Sequence, residues 1–359
     1  MLPKIIAVKK AELINNGTIY IPKSFALPYY PSRSTAGPGA GKPGIVLGFN
    51  GTRVKLSIVR DEKSTFSLVR NTNLNKDDAE IKRCVQGKSY QILKNGELFL
   101  DEVSLEPTLM HAPNQAFINI TDNCIFDCSF CVTPDLDKKG KKCSLERWID
   151  LILAHANNSK LEAVAITSGV AESPHKTVLD MVKIIKAVRE KLPAMPIGVE
   201  PYVTSKKDVE LLHKAGATEI KINLETPSRD IFTKVCPEMD YDGIHDALEF
   251  AVPIFGRNKV CTNLILGLGE SDDEVVRAVE DLAKDGIVAT LRALRLNKYN
   301  IPKLTVALGF TPEQVPPERM LRLAKKQKEI LNRNNLSTVE FKTMCHRCKC
   351  CDIVPQQDI

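Results

Sequence analysis

Residues 124–131 read Cys-Ile-Phe-Asp-Cys-Ser-Phe-Cys, and they follow an extended apolar stretch at 116–120. The spacing C-x3-C-x2-C places three thiolates on one short loop, which suits three irons of a four-iron, four-sulfur (4Fe–4S) cube. Electron-transfer ferredoxins close such a cube with a fourth cysteine, and the next ten residues contain none. One iron is therefore expected to remain open to another ligand.

A zinc site is the alternative for these cysteines, with a fourth ligand from elsewhere in the chain. The triad is, however, the signature of the radical S-adenosylmethionine (SAM) enzymes, which this chain resembles. In that superfamily the open iron binds SAM, and an electron from the cluster cleaves SAM to a 5′-deoxyadenosyl radical. The resemblance implies that Cys124, Cys128 and Cys131 hold the cluster. It also implies that Phe130 packs beside the cluster, near adenine.

The composition is that of a soluble globular protein with a substantial core. Of 359 residues, 43% are hydrophobic and 26% charged, and no run of about eighteen apolar residues could span a membrane. No signal peptide is visible, so we expect a cytoplasmic protein. The net charge of +6 is modest, and its densest basic run, 138–142, is interpreted as a solvated loop. The alternative for that run is a nucleic-acid patch; we expect neither nucleic acid nor membrane as a partner.

Cysteines are numerous and grouped. Seven of the eleven fall into two tight sets, the triad and a C-terminal set, which argues for metal binding in a reducing compartment rather than for disulfides. The remaining four, Cys84, Cys143, Cys236 and Cys261, are expected to be small buried hydrophobes.

The first 110 residues differ in pattern from the rest of the chain. Short extended runs alternate with turns, and Asn50-Gly51 and Asn95-Gly96 predict β-hairpins. The glycine-rich segment 36–43 lacks the first glycine and the Ser/Thr of a phosphate loop, so it predicts a flexible loop. We predict three regions: a strand-rich region at 1–110, a barrel at 111–305, and a C-terminal helix with a cysteine-rich tail at 306–359.

Strands and helices alternate between about 112 and 300. Ser144 and Ser271, each followed by a glutamate, mark helix starts. The pattern predicts an α/β fold with a parallel sheet, and six units suit the partial (β/α)6 barrel of radical SAM proteins. The predicted strands are 117–120, 163–167, 197–199, 219–224, 260–266 and 290–296, and the helices are 145–156, 175–191, 206–215, 241–251 and 272–285, with 317–333 beyond the barrel.

Residues that could bind a ligand or take part in catalysis follow the carboxyl ends of these strands, where such barrels place their active sites. The resemblance assigns the turn at 167–169 to the amino group of SAM. An amide and a carboxylate after the fourth strand suit a ribose or an ammonium group. A glycine turn after the fifth could pack on adenine, and two arginines on the sixth predict a carboxylate clamp, a rim salt bridge being the alternative. The predicted SAM-binding residues are Thr167, Ser168, Gly169, Asn223, Glu225, Gly267, Gly269, Arg292 and Arg295.

One branch of the superfamily is more similar than others. Residues 212–217 and 223–226 look like the fourth-strand region of biotin and lipoyl synthases, and 235–237 with 241–242 resemble lipoyl synthase more closely. The glycine turn at 266–270 is shared by the same group. The resemblance covers roughly residues 112–300, as motifs rather than continuous identity.

The C-terminal tail offers four thiolates and an imidazole within seven positions, on Cys345, His346, Cys348, Cys350 and Cys351. This density predicts a second 4Fe–4S cluster, with a structural zinc knot or a disordered redox tail as alternatives. Sulfur-inserting radical SAM enzymes consume such a cluster as their sulfur source. Familiar bacterial lipoyl synthases carry these cysteines before the SAM motif, so the position here would fit a distinct lineage, such as an archaeal type.

The resemblance implies sulfur insertion into an unactivated C–H bond, with an octanoyl chain on an acyl-carrier protein or peptide as substrate. It also implies a ferredoxin or flavodoxin as electron donor, and a second radical SAM subunit as a further partner. Three alternatives stay open: a peptide-modifying radical SAM enzyme with an auxiliary cluster, a single-cluster mutase or lyase, and a metal scaffold without enzymatic activity.

Overall fold

The computed structural model describes residues 2–33, 43–71, 90–109, 111–135, 143–158 and 160–359. Cys84, the basic run at 138–142 and nearly all of the glycine-rich segment at 36–43 lie outside these ranges. Within them, no helix combines the length and the apolar character needed to cross a membrane. Two sheets organise the described chain, one before residue 107 and one after residue 114.

The N-terminal sheet runs in the order β2-β3-β4-β1-β5-β6-β7, and β3 also pairs with β7, so the sheet closes on itself. Both predicted hairpins are confirmed, because Asn50-Gly51 and Asn95-Gly96 join antiparallel strands and have positive φ at both positions. The strands are β1 Thr18–Tyr20, β2 Ser32–Arg33, β3 Pro43–Phe49, β4 Thr52–Val59, β5 Phe66–Arg70, β6 Tyr90–Lys94 and β7 Glu97–Glu106.

A helix that the sequence analysis did not predict, α1 (Leu2–Asn16), precedes this sheet. It packs against β4 and the C-terminal helix Pro317–Arg333. Its buried residues lie on one face that includes the charged Lys10, while the apolar Ile5 and Val8 are exposed. A charge on the buried face and apolar residues on the exposed face blur the apolar stripe, and β-branched residues weaken the local helical signal.

The second sheet is parallel, with its six strands in chain order from β8 to β13. The predicted fold class is thereby confirmed. Interior strands of a parallel sheet are buried along their length, as the strand Val260–Leu266 is at every position. The strands are β8 Gln115–Asn119, β9 Ala163–Thr167, β10 Ile197–Glu200, β11 Glu219–Lys221, β12 Val260–Leu266 and β13 Val288–Ala293.

Helices connect these strands as predicted, most within a few residues of the predicted bounds. The capping box expected at Ser271 is present, since its side chain accepts from the Glu274 N–H while the Glu274 carboxylate accepts from the Ser271 N–H. The helices are α2 Leu145–Asn158, α3 Pro174–Lys191, α4 Lys206–Ala215, α5 Arg229–Val235, α6 Tyr241–Phe255 and α7 Asp272–Asp285.

Three further helices follow the parallel sheet: α8 Asn300–Leu308, α9 Pro317–Arg333 and the short α10 Met344–Cys348. The last contacts β8, so the chain after α9 returns to the parallel sheet. Its partners there, Gln115, Gly198 and Glu219, are all at or next to the first residue of a strand. The C-terminal tail therefore enters at the amino ends of the strands, opposite the edge that carries the cysteine triad.

Candidate active site

The loop carrying the cysteine triad, residues 124–131, directly follows the carboxyl end of β8. Its backbone makes a tight turn in which the Cys131 N–H donates to the Cys128 carbonyl at 2.9 Å. A second bond, from the Ile125 N–H to the Val170 carbonyl at 2.7 Å, ties the loop to the segment after β9. All three triad cysteines are free thiols and half-buried. The loop is thus held by backbone bonds to its neighbours.

The turn after β9 packs directly against this loop. The Gly169 N–H donates to the Thr121 carbonyl at 2.8 Å. A Cβ at position 169 would lie 2.3 Å from the Asn123 carbonyl oxygen, a distance that no side chain tolerates. Ser168 turns its hydroxyl onto the Gly169 carbonyl at 2.7 Å, and the Thr167 hydroxyl is 3.5 Å from the Glu200 carbonyl. Only glycine permits this approach of two backbones beside the triad.

A buried polar network occupies the adjoining strands β10 and β11. The Lys221 ammonium is 2.9 Å from the Glu200 carboxylate, and the Asn223 side-chain amide donates to the same oxygen at 3.0 Å. Burial alone would raise the pKa of Glu200, but Lys221 and Asn223 together bring it below its ordinary value. The Asn223 side-chain oxygen is buried and finds no hydrogen-bond partner among the described residues. It is an acceptor open to a bound water or ligand.

Glu225 lies at the turn after β11 in a left-handed conformation, with φ of 67°. Its backbone is nevertheless part of the sheet, since its N–H donates to the Asn263 carbonyl and its carbonyl accepts from the Ile265 N–H. Burial raises the pKa of Glu225, against a hydrogen bond from the Asn263 amide at 3.0 Å. The Asn263 side-chain oxygen is a second buried acceptor without a partner. Hydroxyl or ammonium donors would satisfy such acceptors.

The glycine turn after β12 is shaped by one carboxylate. Gly267 and Gly269 both have positive φ, 103° and 109°. The Glu270 carboxylate accepts from the Gly267 N–H at 2.8 Å and from the Leu268 N–H at 2.9 Å, and Arg319 holds the same carboxylate at 2.9 Å. These bonds fix the shape of the turn. A turn of fixed shape suits the packing against a flat ring that the sequence analysis expected here.

Phe130 is buried within the core beside the triad. Its carbonyl accepts a hydrogen bond from the Asn300 side-chain amide at 3.1 Å, and the same amide donates to the Arg295 carbonyl at 2.9 Å. The triad loop is in this way joined to the end of β13. The first and last strands of the parallel sheet meet at the site through Asn300.

These residues fit a 4Fe–4S cluster with SAM on its open iron. Three free thiols share one loop, a glycine turn allows close approach beside them, and two buried acceptors lack partners. Across the described ranges, no three or more His, Cys, Asp or Glu side chains are grouped to hold one metal ion. A cluster does not need such a group, because each of its irons takes its own thiolate.

The two arginines predicted to form a carboxylate clamp point to other partners. Arg292 donates to the Asp352 carboxylate at 2.8 Å and to the Cys345 sulfur at 3.2 Å. Arg295 lies beyond the end of β13 and approaches the Lys55 carbonyl at 3.5 Å. The carboxylate that Arg292 binds thus belongs to the tail, and no sequence pattern revealed that the tail reaches β13.

Glu219 is the main anchor of the tail. It is fully buried at the first position of β11 and accepts from the Lys342 N–H at 2.8 Å. Thr343 supplies two more donors, its N–H at 2.9 Å and its hydroxyl at 2.6 Å. Gly198 makes room for this contact, because a Cβ there would lie 2.1 Å from the Thr343 hydroxyl oxygen.

Gln115 provides a second anchor at the first position of β8. Its side-chain oxygen accepts from the Met344 N–H at 2.7 Å, and its amide lies 3.3 Å from the Met344 carbonyl. Met344 itself is left-handed, with φ of 56°. The chain bends at this residue, and α10 begins there with Cys345 as its next residue.

Cys345 lies between two cations of the parallel sheet. Its sulfur is 3.8 Å from the Lys221 ammonium and 3.2 Å from the Arg292 guanidinium. Burial raises the pKa of the Cys345 thiol, while both cations favour its thiolate. Lys221 also binds Glu200, which in turn accepts from Asn223, so three contacts link Cys345 to Asn223.

The other three tail cysteines contact the N-terminal sheet. Cys348 and Cys350 are buried, and the Lys55 N–H donates to the Cys350 carbonyl at 2.8 Å. A hydrogen bond from Cys350 lowers the pKa of the Cys348 thiol to about 7, against the effect of burial. Burial holds the pKa of Cys350 well above its ordinary value. Burial lowers the pKa of Lys55, against the charge of Cys351, Cys348 and Cys350, which favours its protonated form.

His346 turns away from these thiols. Its Nε2 faces the Thr290 hydroxyl at 3.4 Å, and its ring packs on Phe341 with centroids 4.8 Å apart. Burial lowers the pKa of His346 to about 3, so the ring is neutral. We interpret it as part of the packing that fixes α10.

Sequence reasoning missed four residues of this site, Gln115, Glu200, Lys221 and Glu219. Each is a polar residue in a strand of the buried parallel sheet, and such residues carry a signal because buried polar groups need partners. Glu200 is also the last residue of β10, where barrel sites collect functional groups. The predicted burial of Cys236 and Cys261 is confirmed, whereas Cys143 is only half-buried.

Comparison with known proteins identifies the class. Residues 118–282 match the family model described as the radical SAM superfamily. The matched segment runs from β8 into α7 and contains the triad, the Gly169 turn, Glu225 and the glycine turn after β12. The part of the chain that holds most of the parallel sheet therefore matches the radical SAM superfamily. The N-terminal sheet and the cysteine tail lie outside the matched residues.

Lipoyl synthases and biotin synthases are distant relatives of this chain, and those described below are similar to only part of it. A lipoyl synthase of Erwinia tasmaniensis is 25% identical over 233 residues, covering 61% of this chain and 70% of its own length. A lipoyl synthase of Leptospira interrogans is 28% identical, with 51% and 59% covered. A biotin synthase of Schizosaccharomyces pombe is 27% identical, with 45% of each covered. The chain thus spans between 45% and 70% of the length of these relatives.

Solved structures are similar over part of the fold. A methylornithine synthase has a TM-score of 0.49 at 17% identity, with 59% of this chain and 62% of that chain covered. A radical SAM methyltransferase from Sphaerobacter thermophilus has a TM-score of 0.46 at 14% identity, with 75% of each chain covered.

Proposed function

We propose that this chain is a sulfur-inserting radical SAM enzyme that converts an octanoyl chain, carried on an acyl-carrier protein or peptide, into a lipoyl group. Distant similarity to lipoyl and biotin synthases supports the reaction class. The single observation that carries the proposal is the position of Cys345. The tail holds this thiol against Lys221 and Arg292, on the face of the sheet that also carries Glu200 and Asn223.

Residues of the triad loop and the strand ends would hold the first cofactor pair. Cys124, Cys128 and Cys131 would hold the 4Fe–4S cluster, and the Gly169 turn would receive the amino group of SAM. The unpartnered acceptors on Asn223 and Asn263 would accept hydrogen bonds from the bound molecule. When bound, this pair supplies the reductive cleavage of SAM that removes a hydrogen atom from an unactivated carbon.

The tail cysteines would hold a second 4Fe–4S cluster that supplies the inserted sulfur. Lys221 and Arg292 would offset the negative charge that thiolate ligation brings into a buried site. Glu200 and Asp352 each pair with one of these cations, so the help to a thiolate comes from the direct contacts of Lys221 and Arg292 with the Cys345 sulfur rather than from a surplus of positive charge. The hydrogen-bonded path from Asn223 through Glu200 and Lys221 to Cys345 supports a shared chamber for both clusters.

Partners follow from the same proposal. A ferredoxin or flavodoxin would deliver low-potential electrons, and we propose that it approaches near Ile125, an exposed apolar residue of the triad loop. A second radical SAM subunit remains a proposed partner, and a cytoplasmic setting is proposed because cluster assembly needs reduced thiols.

The test is anaerobic turnover of the reconstituted protein with an octanoylated peptide. We expect a product that carries sulfur by mass spectrometry, together with loss of protein-bound sulfide. Cys345→Ala should still form 5′-deoxyadenosine but no thiolated product, whereas Cys143→Ala, changed outside the tail, should match the wild type. A modified peptide without sulfur, or constant protein sulfide during turnover, would contradict sulfur donation and favour a peptide-modifying enzyme.

A further inference from the structure

Asp352 is a buried carboxylate of the cysteine-rich tail and directly follows Cys351. Its side chain is 4% exposed. One of its oxygens, Oδ2, accepts a hydrogen bond from the Arg292 guanidinium at 2.8 Å. The other oxygen, Oδ1, is buried and finds no hydrogen-bond partner among the described residues. An open carboxylate oxygen in a buried position is costly unless a bound group satisfies it.

Arg292 places this carboxylate beside a thiol of the tail. The guanidinium nitrogen Nη2, which donates to Asp352, also lies 3.2 Å from the Cys345 sulfur. Because one nitrogen atom makes both contacts, the carboxylate and the thiol are held side by side. Asp352 and Cys345 thus face the same cation, although seven positions separate them in the chain.

The other tail thiols lie on the side of the N-terminal sheet. Cys348 and Cys350 belong to a small buried cluster there, and Cys351 packs against it. Cys345 instead contacts the cations of the parallel sheet. Asp352 therefore gives the Cys345 side of the tail a second group that can bind iron, since carboxylate oxygen is an established ligand of iron in proteins.

We propose that Asp352 is a ligand of the second cluster, supplying one carboxylate oxygen to an iron while three of the four tail cysteines bind the other irons. Each iron of a 4Fe–4S cluster takes one ligand from the protein. Arg292 would position two neighbouring ligands, Cys345 through its sulfur and Asp352 through Oδ2, which leaves Oδ1 for the metal. The inference rests on the second cluster of the proposed function and is independent of the substrate.

The test uses the full-length chain with Cys124, Cys128 and Cys131 changed to alanine, so that after anaerobic reconstitution all cluster iron belongs to the tail. We expect about four irons per chain, one of them with its own Mössbauer doublet because its ligand is oxygen. Asp352→Asn keeps the size of the side chain and removes its charge. It should lose that doublet and about one iron per chain. Asp352→Cys should restore the iron with a spectrum typical of thiolate ligands alone.

A second measurement counts the cysteines that the tail cluster needs. The four tail cysteines are changed to alanine one at a time in the same chain. We expect three of these variants to lose iron and one to retain it, because Asp352 fills one of the four positions. Asp281→Asn, which changes an exposed carboxylate of α7, is the control and should keep both the iron and the spectrum.

Three results would overturn the proposal. The first is an unchanged iron count and spectrum in Asp352→Asn, and the second is loss of iron in all four single cysteine variants. The third is loss of iron in both Asp352→Asn and Asp352→Cys, which would make the carboxylate a structural partner of Arg292 only. A chain without any tail iron would overturn the second cluster as well, whereas a cluster with four thiolate ligands would overturn this inference alone.

Discussion

Gly169 is a position in the site where one additional carbon atom, a Cβ, would prevent the observed packing. Its missing Cβ is the reason that the turn after β9 can approach the backbone before the triad loop. The sequence analysis assigned this turn to the amino group of SAM by resemblance, and it did not reveal that the glycine packs on the carbonyl of Asn123.

Substitution of this glycine should affect binding and stability together. In Gly169→Ala the new Cβ overlaps a backbone oxygen that has no rotamer with which to move away. We expect a loss of about 1–3 kcal/mol in the free energy of unfolding and weaker SAM binding. Thermal unfolding and SAM titration of the reconstituted protein measure both. Thr233→Ala, an exposed change that loses only a bond within α5, is the control; wild-type affinity and stability in Gly169→Ala would contradict the packing described.

His346 makes folding depend on pH. Its pKa is about 3 in the folded chain, because burial penalises the charged ring, against about 6.5 when unfolded. Between these values the unfolded state binds more protons, so stability falls as pH drops below about 6.5. One such histidine contributes a loss of about 2 kcal/mol between pH 7.5 and pH 5.

Urea unfolding at these two pH values measures that loss in the wild type and in His346→Phe. The variant cannot gain the proton, so its stability should fall by about 2 kcal/mol less over the same interval. An unchanged pH dependence in His346→Phe would contradict a neutral, buried ring.

At the scale of elements, the tail is fixed by the first residues of strands. Glu219 offers four acceptor positions and uses them for three donors of the tail. Glutamine at this position has one acceptor oxygen and brings two donors that face other donors. We expect Glu219→Gln to destabilise the docked tail by about 2–3 kcal/mol.

Limited proteolysis and iron analysis report the state of the tail in this variant. Cleavage within 340–359 should accelerate, and iron bound by the tail should be lost while SAM-dependent cluster signals persist. Glu210→Gln, which changes an exposed carboxylate paired with Lys214, is the matched control. Wild-type resistance to proteolysis in Glu219→Gln would show that this anchor does not hold the tail.

Strands and helices of the parallel sheet were predictable because their signals are local. The alternation of apolar strands with capped helices predicted the first and last residues of β9, β12, α4 and α7 correctly. Docking of the tail was not predictable, because Glu219 and Thr343 are 124 positions apart and neither stands in a motif. The spacing of the triad cysteines was enough to predict their role. The roles of Lys221 and Arg292 could not be predicted, because they depend on contacts with Cys345 that only the structure shows.

At the scale of the whole molecule, a buried ion pair closes the chain on itself. Lys10 of α1 lies 2.6 Å from Asp358, and both side chains are almost fully buried. Thr52 of β4 donates to the same carboxylate. The helix that the sequence analysis did not predict is therefore the element that fastens the end of the tail to the N-terminal sheet.

Breaking this pair should be costly, and removing it whole should cost less. Lys10→Met leaves a buried carboxylate without its cation, for which we expect a loss of about 3–5 kcal/mol. Adding Asp358→Leu removes the orphaned charge and should recover part of that loss. Urea unfolding of both single variants and the double variant gives the coupling energy; additive losses would mean that the pair does not act as a unit.

The most direct test of two clusters in one chain is an iron count with Mössbauer spectra after anaerobic reconstitution. The wild type is compared with a variant in which Cys345, Cys348, Cys350 and Cys351 are all alanine. We expect about eight irons per chain in the wild type and about four in the variant, with the SAM-responsive cluster unchanged. Four irons in both proteins would contradict a cluster on the tail, and with it the proposed source of sulfur.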